Sequence, residues 1–259
     1  MEMHHTRSGK GSPLLLIHGL GSSKSAWSTV AHRLEEEREV ITLDLPAHGD
    51  TPAQPDSGSF DGLARALEEW LKARHLVGID MVGSSLGGRL VLEMARRGCS
   101  GSTIALDPGG FWAGWERTYV SSTLHASVLF LRTMRPALPL LSRSAAARTA
   151  LLAQLSARPW ALPDALVSSE LLSFANTPTF DALLKDLAYG PAQQGPEAAG
   201  TGKVTIGWGR HDRLCLPVQA SRAVEAFPNA RLVWFEESGH FPMWDQPEET
   251  AAAILEATG

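Results

Sequence analysis

The stretch Met81-Val82-Gly83-Ser84-Ser85-Leu86-Gly87-Gly88 constrains this chain more than any other. It joins an apolar run, Val77 to Val82, which reads as a buried strand, to Arg89–Arg97, which reads as a helix. A serine between glycines at such a junction sits in a sharp, strained bend. The glycines remove Cβ atoms that would meet the neighbouring strand and helix. The bend lifts Ser85 clear of the sheet. It also leaves the first helical amides unpaired, facing whatever the hydroxyl attacks. That geometry suits attack on a carbonyl. Glycine-rich turns of this kind also bind phosphate, so the rest of the chain must decide.

The length of 259 residues suits one large α/β domain with an insertion, or two small domains. The net charge of −5 comes without a basic cluster interleaved with aromatics, so nucleic acid is not an expected partner. Cys99 and Cys215 are too few for a disulfide framework and read as buried, reduced thiols. Met1–Ser12 lacks an apolar signal core, and no apolar run reaches the ~18 residues of a membrane span. The expectation is a cytoplasmic protein with no membrane partner. Oligomeric state is left open.

Along the chain, Glu2–Arg7 reads as an edge strand and Leu14–Ile17 as a strand buried on both faces. Ala26–Glu37 reads as a helix with Trp27, Val30, Ala31 and Leu34 on one face. Glu39–Leu43 is the next strand, Phe60–His75 an amphipathic helix, and Thr103–Leu106 a further strand. This alternation predicts a mostly parallel sheet covered by helices on both faces. The rhythm breaks at Phe111. Residues 111–202 hold helical stretches and a Gly/Pro-rich return linker, but no convincing strand. Alternation resumes with strands at Lys203–Trp208 and Arg231–Phe235 and helices at Pro217–Phe227 and Pro247–Leu255. The expected domains are a core of 1–110 and 203–259 and a helical cap of 111–202, lying over the carboxyl ends of the strands, where ligands of such sheets bind.

A serine nucleophile needs a base, and the base needs a carboxylate that fixes its tautomer. His240, in a loop after the last strand, is the candidate base. Asp212, just past the preceding strand, is the candidate acid. Asp107 also ends a strand and is the alternative.

The order Ser85, Asp212, His240 resembles that of the α/β-hydrolase superfamily, and the chain resembles its cap-bearing, esterase-like serine hydrolases. His18-Gly19-Leu20-Gly21 is similar to the family's His-Gly-x-Gly loop. Asp44–Asp50 is similar to its Asp-x-x-Gly-His-Gly loop, with Ala47 where glycine is usual. The resemblance implies an oxyanion hole made by the amides of Leu20 and Leu86, and an acyl-enzyme mechanism without metal or cofactor. His18 and His48 read as loop braces. His4 and His5 point to opposite faces of a strand and do not make a metal pair.

A serine nucleophile points to an ester or related acyl bond, such as a thioester or lactone. C–C hydrolysis of a diketone-like substrate by the same triad stays open, as does a weakly hydrolytic ligand receptor. The expected partner is a small, mainly apolar acyl compound. Its candidate contacts are Phe111, Trp112, Trp115, Trp160, Phe174 and Trp244. From Arg117 to Pro163 there are six arginines (117, 132, 135, 143, 148 and 158) and no Asp, Glu or Lys. Either they form a solvated or docking face, or one turns inward to hold an anionic group on the substrate.

Overall fold

Leu14, Leu15, Leu16 and Ile17 are wholly buried because their strand has a neighbour on each side and helices on each face. The computed structural model describes residues 2–259. Its strands are His5–Gly9 (β1), Ser12–Ile17 (β2), Arg38–Leu43 (β3), Asp80–Ser84 (β4), Thr103–Leu106 (β5), Val204–Gly209 (β6) and Arg231–Phe235 (β7). They form one seven-stranded sheet in the order β1-β3-β2-β4-β5-β6-β7. Only β1, at the edge, runs antiparallel to its neighbour.

Alternation along β2 divides the core. Leu15 and Ile17 join Trp70, Leu90 and Trp208 on one face. Leu14 and Leu16 join Trp27, Phe235 and Ile254 on the other. The chain leaves β2 for β3 on one side and later places β4 on the other. The strand order therefore reverses between β2 and β4, and a crevice opens at their carboxyl ends.

Between β5 and β6 lie the helices Trp115–Met134, Leu138–Leu141, Ala145–Leu152, Asp164–Asn176 and Phe180–Tyr189. The return segment after Tyr189 packs back on the core. The Gln193 amide donates to the Gly110 carbonyl at 3.0 Å, and the Ala198 amide to the Ala95 carbonyl at 3.0 Å.

Two elements differ from the sequence expectation. The helix expected over Ala26–Glu37 is a 3-10 turn, Lys24–Trp27, and a short helix, Ala31–Leu34. Trp27, Val30 and Leu34 still bury the same face. Side chains at its start are tied elsewhere: Lys24 to Asp44, and Ser22 and Ser25 to Glu170. One regular helix cannot reach all three. The strand expected from Val77 begins at Asp80. Gly78 instead donates its amide to the Cys99 carbonyl at 2.9 Å in a turn, and Val77 is exposed. An apolar run does not reveal where hydrogen bonding to a neighbour starts.

Candidate active site

Ser85 stands between β4 and the Leu86–Arg96 helix with φ 56° and ψ −113°, a strained conformation for a residue with a Cβ. The surroundings enforce it. The Ser85 amide donates to the Leu106 carbonyl at 2.9 Å, and its carbonyl accepts from the Arg89 amide at 2.9 Å. A Cβ on Gly83 would lie 2.0 Å from the Gly87 oxygen, and one on Gly87 would lie 2.1 Å from the Ile17 oxygen. Strand and helix thus approach as closely as backbones allow.

The His18–Gly21 loop meets Ser85 across the crevice between β2 and β4. A Cβ on Gly19 would come within 3.2 Å of the Ser85 Cβ. His18 braces this loop. Its Nδ1 donates to the Gly19 carbonyl at 2.8 Å and its Nε2 accepts the Leu45 amide at 3.1 Å. Both bonds use the neutral ring, and burial lowers its pKa. His48 is also buried, and burial with the nearby His18 lowers its pKa to about 3. Among the described residues, the amides of Leu20 and Leu86 have no hydrogen-bond partner.

His240 and Asp212 come from the loops after β7 and β6. His240 Nδ1 donates to Asp212 Oδ2 at 2.8 Å, and both side chains are buried. The other oxygen, Asp212 Oδ1, accepts the amides of Leu214 at 2.7 Å and Cys215 at 3.0 Å. The carboxylate is therefore fixed before it orients the ring. The loop that holds His240 is itself pinned, because its amide donates to the Leu155 carbonyl at 2.9 Å. Among the described residues, buried His240 Nε2 has no protein partner. Ser85 and His240 line one cavity.

Asp107 lies beside this pair but does not bond the histidine. Its Oδ1 accepts the Gly209 amide at 2.8 Å, while its buried Oδ2 is without a partner. Burial and the Asp212 charge push its carboxyl well above the usual range. Cys215 is buried too, and burial and the neighbouring carboxylates raise its pKa, which keeps it a thiol. The His4, Asp44 and Asp50 side chains also cluster. There the Lys24 ammonium already lies 2.8 Å from Asp44 and 2.7 Å from Asp50.

The cavity encloses about 600 Å³, part of it open to solvent. Leu20, Leu124, Val128, Leu131, Leu151 and Leu171 supply much of its wall, and no charged side chain other than the titratable His240 lines it. Of the six residues expected to contact substrate, Phe174 alone lines it among the described residues. The other five are corrections. Phe111 is packed in the core, and Trp112 packs against the same cluster. Trp115 and Trp160 are more than half exposed on the outside of the inserted helices. Trp244 is buried on Phe241 at a ring separation of 4.2 Å and donates to the Ala26 carbonyl. Aromatic content marks apolar surface but not which way a helix presents it.

The lid arginines do not line the cavity either. Arg132 pairs with Asp181, Arg148 donates to the carbonyls of Ser142 and Trp160, and Arg158 donates to the Asp245 carbonyl. Sequence reading missed Gln154, which does line the cavity. Tyr119 donates its hydroxyl to the Arg213 carbonyl, and Thr123 donates its own to the Tyr119 carbonyl. Both oxygens must therefore accept from Gln154 Nε2, at 3.2 and 3.0 Å. This fixes the amide and leaves Oε1 as a free acceptor. No sequence signal marks a lone glutamine in this way.

A serine elbow, a buried histidine–aspartate pair and a parallel sheet that brings them to one edge define a hydrolase architecture. The chain belongs to the alpha/beta hydrolase family, whose model matches residues 14–253. It is 26% identical over 262 residues to Lipase 1 of Psychrobacter immobilis, covering 95% of this chain and 78% of that one. It is 24% identical over 268 residues to 2-hydroxy-6-oxononadienedioate/2-hydroxy-6-oxononatrienedioate hydrolase 1 of Dechloromonas aromatica, covering 99% and 90%. A thermophilic esterase from Thermogutta terrifontis shares the fold with a TM-score of 0.77 at 20% identity, over 98% of this chain and 92% of that one. No helix is long and apolar enough to cross a membrane, among the described residues.

Proposed function

We propose that the protein is a serine hydrolase that cleaves a neutral, largely aliphatic carboxylic ester or related acyl bond through an acyl-enzyme. The observation that carries this reading is the 2.8 Å bond from His240 Nδ1 to Asp212, which leaves Nε2 unpartnered beside the cavity that Ser85 lines. Ser85 Oγ attacks the acyl carbon as its proton passes to His240 Nε2. The imidazolium then protonates the leaving alkoxide. Water attacks the acyl-Ser85 carbonyl, giving its proton to His240, and the free acid leaves as that proton returns to Ser85. The amides of Leu20 and Leu86 take the oxyanion. Losing one such donor typically costs roughly a hundredfold or more in rate.

The substrate class follows from the cavity wall. Leucines and phenylalanines favour an alkyl acyl group. A dioate like that in the name of the Dechloromonas aromatica relative would bring carboxylates to a wall without lysine or arginine, where an unpaired buried charge is costly. This favours ester over C–C cleavage. The test is labelling by a fluorophosphonate with wild type and Ser85→Ala, followed by a panel of alkyl esters, thioesters, lactones and diketone acids. Labelling of wild type alone and turnover of alkyl esters are expected. Equal labelling of Ser85→Ala refutes the nucleophile, and preferred turnover of diketone acids refutes the substrate class.

A further inference from the structure

One corner of the inserted helices exposes apolar side chains and unpaired arginines together. Leu129 and Phe130 near the end of the Trp115–Met134 helix, Leu140 in the next helix, and Trp160 are between 50% and 69% exposed. The corner is continuous. Arg148 donates to the Ser142 carbonyl at 2.8 Å and to the Trp160 carbonyl at 2.6 Å, which holds Trp160 against the turn that follows Leu140. Arg135 and Arg143 are exposed among these residues. Arg132 and Arg158 of the same segment have acidic neighbours, but among the described residues Arg135 and Arg143 have none. Residues 117–163 carry a formal +6 in a chain whose net charge is −5.

Exposed large apolar groups on one corner need a reason, since most proteins disperse them. Arginines without acids beside them repel a second such surface, so two copies do not fit face to face. Apolar groups ringed by cations match an anionic lipid surface, where the side chains enter the headgroup layer and the guanidinium groups meet phosphates. We propose that this corner docks the protein on anionic bilayers. The same helix turns Leu124, Val128 and Leu131 inward to line the cavity, so docking sets the cavity roof against the lipid. Surface docking needs no spanning helix and does not depend on which bond the protein cleaves.

The test is flotation of the full chain with vesicles of phosphatidylcholine alone and of phosphatidylcholine mixed with phosphatidylglycerol. Binding is expected to the mixed vesicles only, and to weaken as salt rises. Arg135→Gln/Arg143→Gln is expected to lower the partition coefficient by about thirtyfold, the equivalent of about 1 kcal/mol per arginine. Leu129→Ser/Leu140→Ser is expected to lower it as well, with unchanged melting and unchanged hydrolysis of a short soluble ester. Absence of binding to anionic vesicles, or equal binding by both variants and wild type, overturns the proposal. So does a wild-type dimer in light scattering that the leucine variant abolishes, which would make a second copy the occupant.

Discussion

Glu170 of the inserted helices reaches the core loop beside the active site and accepts the Ser22 hydroxyl at 2.5 Å. The Ser25 hydroxyl donates to its other oxygen at 3.0 Å. This buried carboxyl joins cap to core one residue past the His18–Gly21 loop. Burial raises its pKa to about 7, opposed by the two hydroxyls and reinforced by Asp44, whose own charge faces Lys24.

That shift gives the docking a pH dependence of known sign. Between about 4.5 and 7 the folded protein holds the Glu170 proton and the unfolded chain does not. The stabilisation is full below that window and is lost as pH rises through about 7, to an extent of roughly 3 kcal/mol. Glu170→Gln keeps both hydroxyl contacts and cannot ionise. Thermal melts from pH 5 to 8 are expected to show wild type losing several degrees relative to Glu170→Gln. Parallel profiles would contradict the assignment.

Asp212 and Asp107 make opposite predictions despite their proximity. Asp212→Asn removes the acceptor that sets the His240 tautomer and is expected to lower kcat/KM by up to ~10⁴. Asp107 is held neutral by burial and by the Asp212 charge, and its Oδ1 bond to Gly209 survives in Asp107→Asn. That variant is expected to stay within about tenfold of wild type. Steady-state kinetics on an alkyl ester decides, and the reverse ranking would make Asp107 the acid.

Gln154 Oε1 is the free acceptor in a leucine-rich wall. An acyl chain bearing a hydroxyl at the matching position gains one hydrogen bond there, worth about 1 kcal/mol. Gln154→Met is expected to lower kcat/KM on a hydroxylated ester about fivefold relative to the plain ester of equal length. The ratio cancels any general loss of packing. An unchanged ratio across a series of hydroxyl positions would remove Gln154 from recognition.

Ala47 has φ 67°, in the left-handed region, where a Cβ costs roughly 1–2 kcal/mol. This explains why the related loop pattern has glycine there. Ala47→Gly relieves that strain but frees the unfolded chain by roughly 0.4–1 kcal/mol. The net expectation is a rise of a few degrees in Tm, measured by differential scanning calorimetry. A fall would show that the Ala47 methyl contributes more by packing than it costs in strain.

The elbow, the sheet and the three candidate residues were legible in the sequence because each rests on local chemistry. Gly83 and Gly87 announce a backbone approach that no other residue permits, and the run Leu14–Ile17 announces a strand with two covered faces. The order of strands and helices then places Ser85, Asp212 and His240 after strands that share one edge. Which of Asp212 and Asp107 meets His240 is a matter of ångströms between loops far apart in sequence, and only the fold decides it. The cavity wall is decided the same way. Trp115 and Trp160 face solvent and Phe174 faces the cavity because helix rotation and crossing are set by packing between elements, not by composition along any one of them.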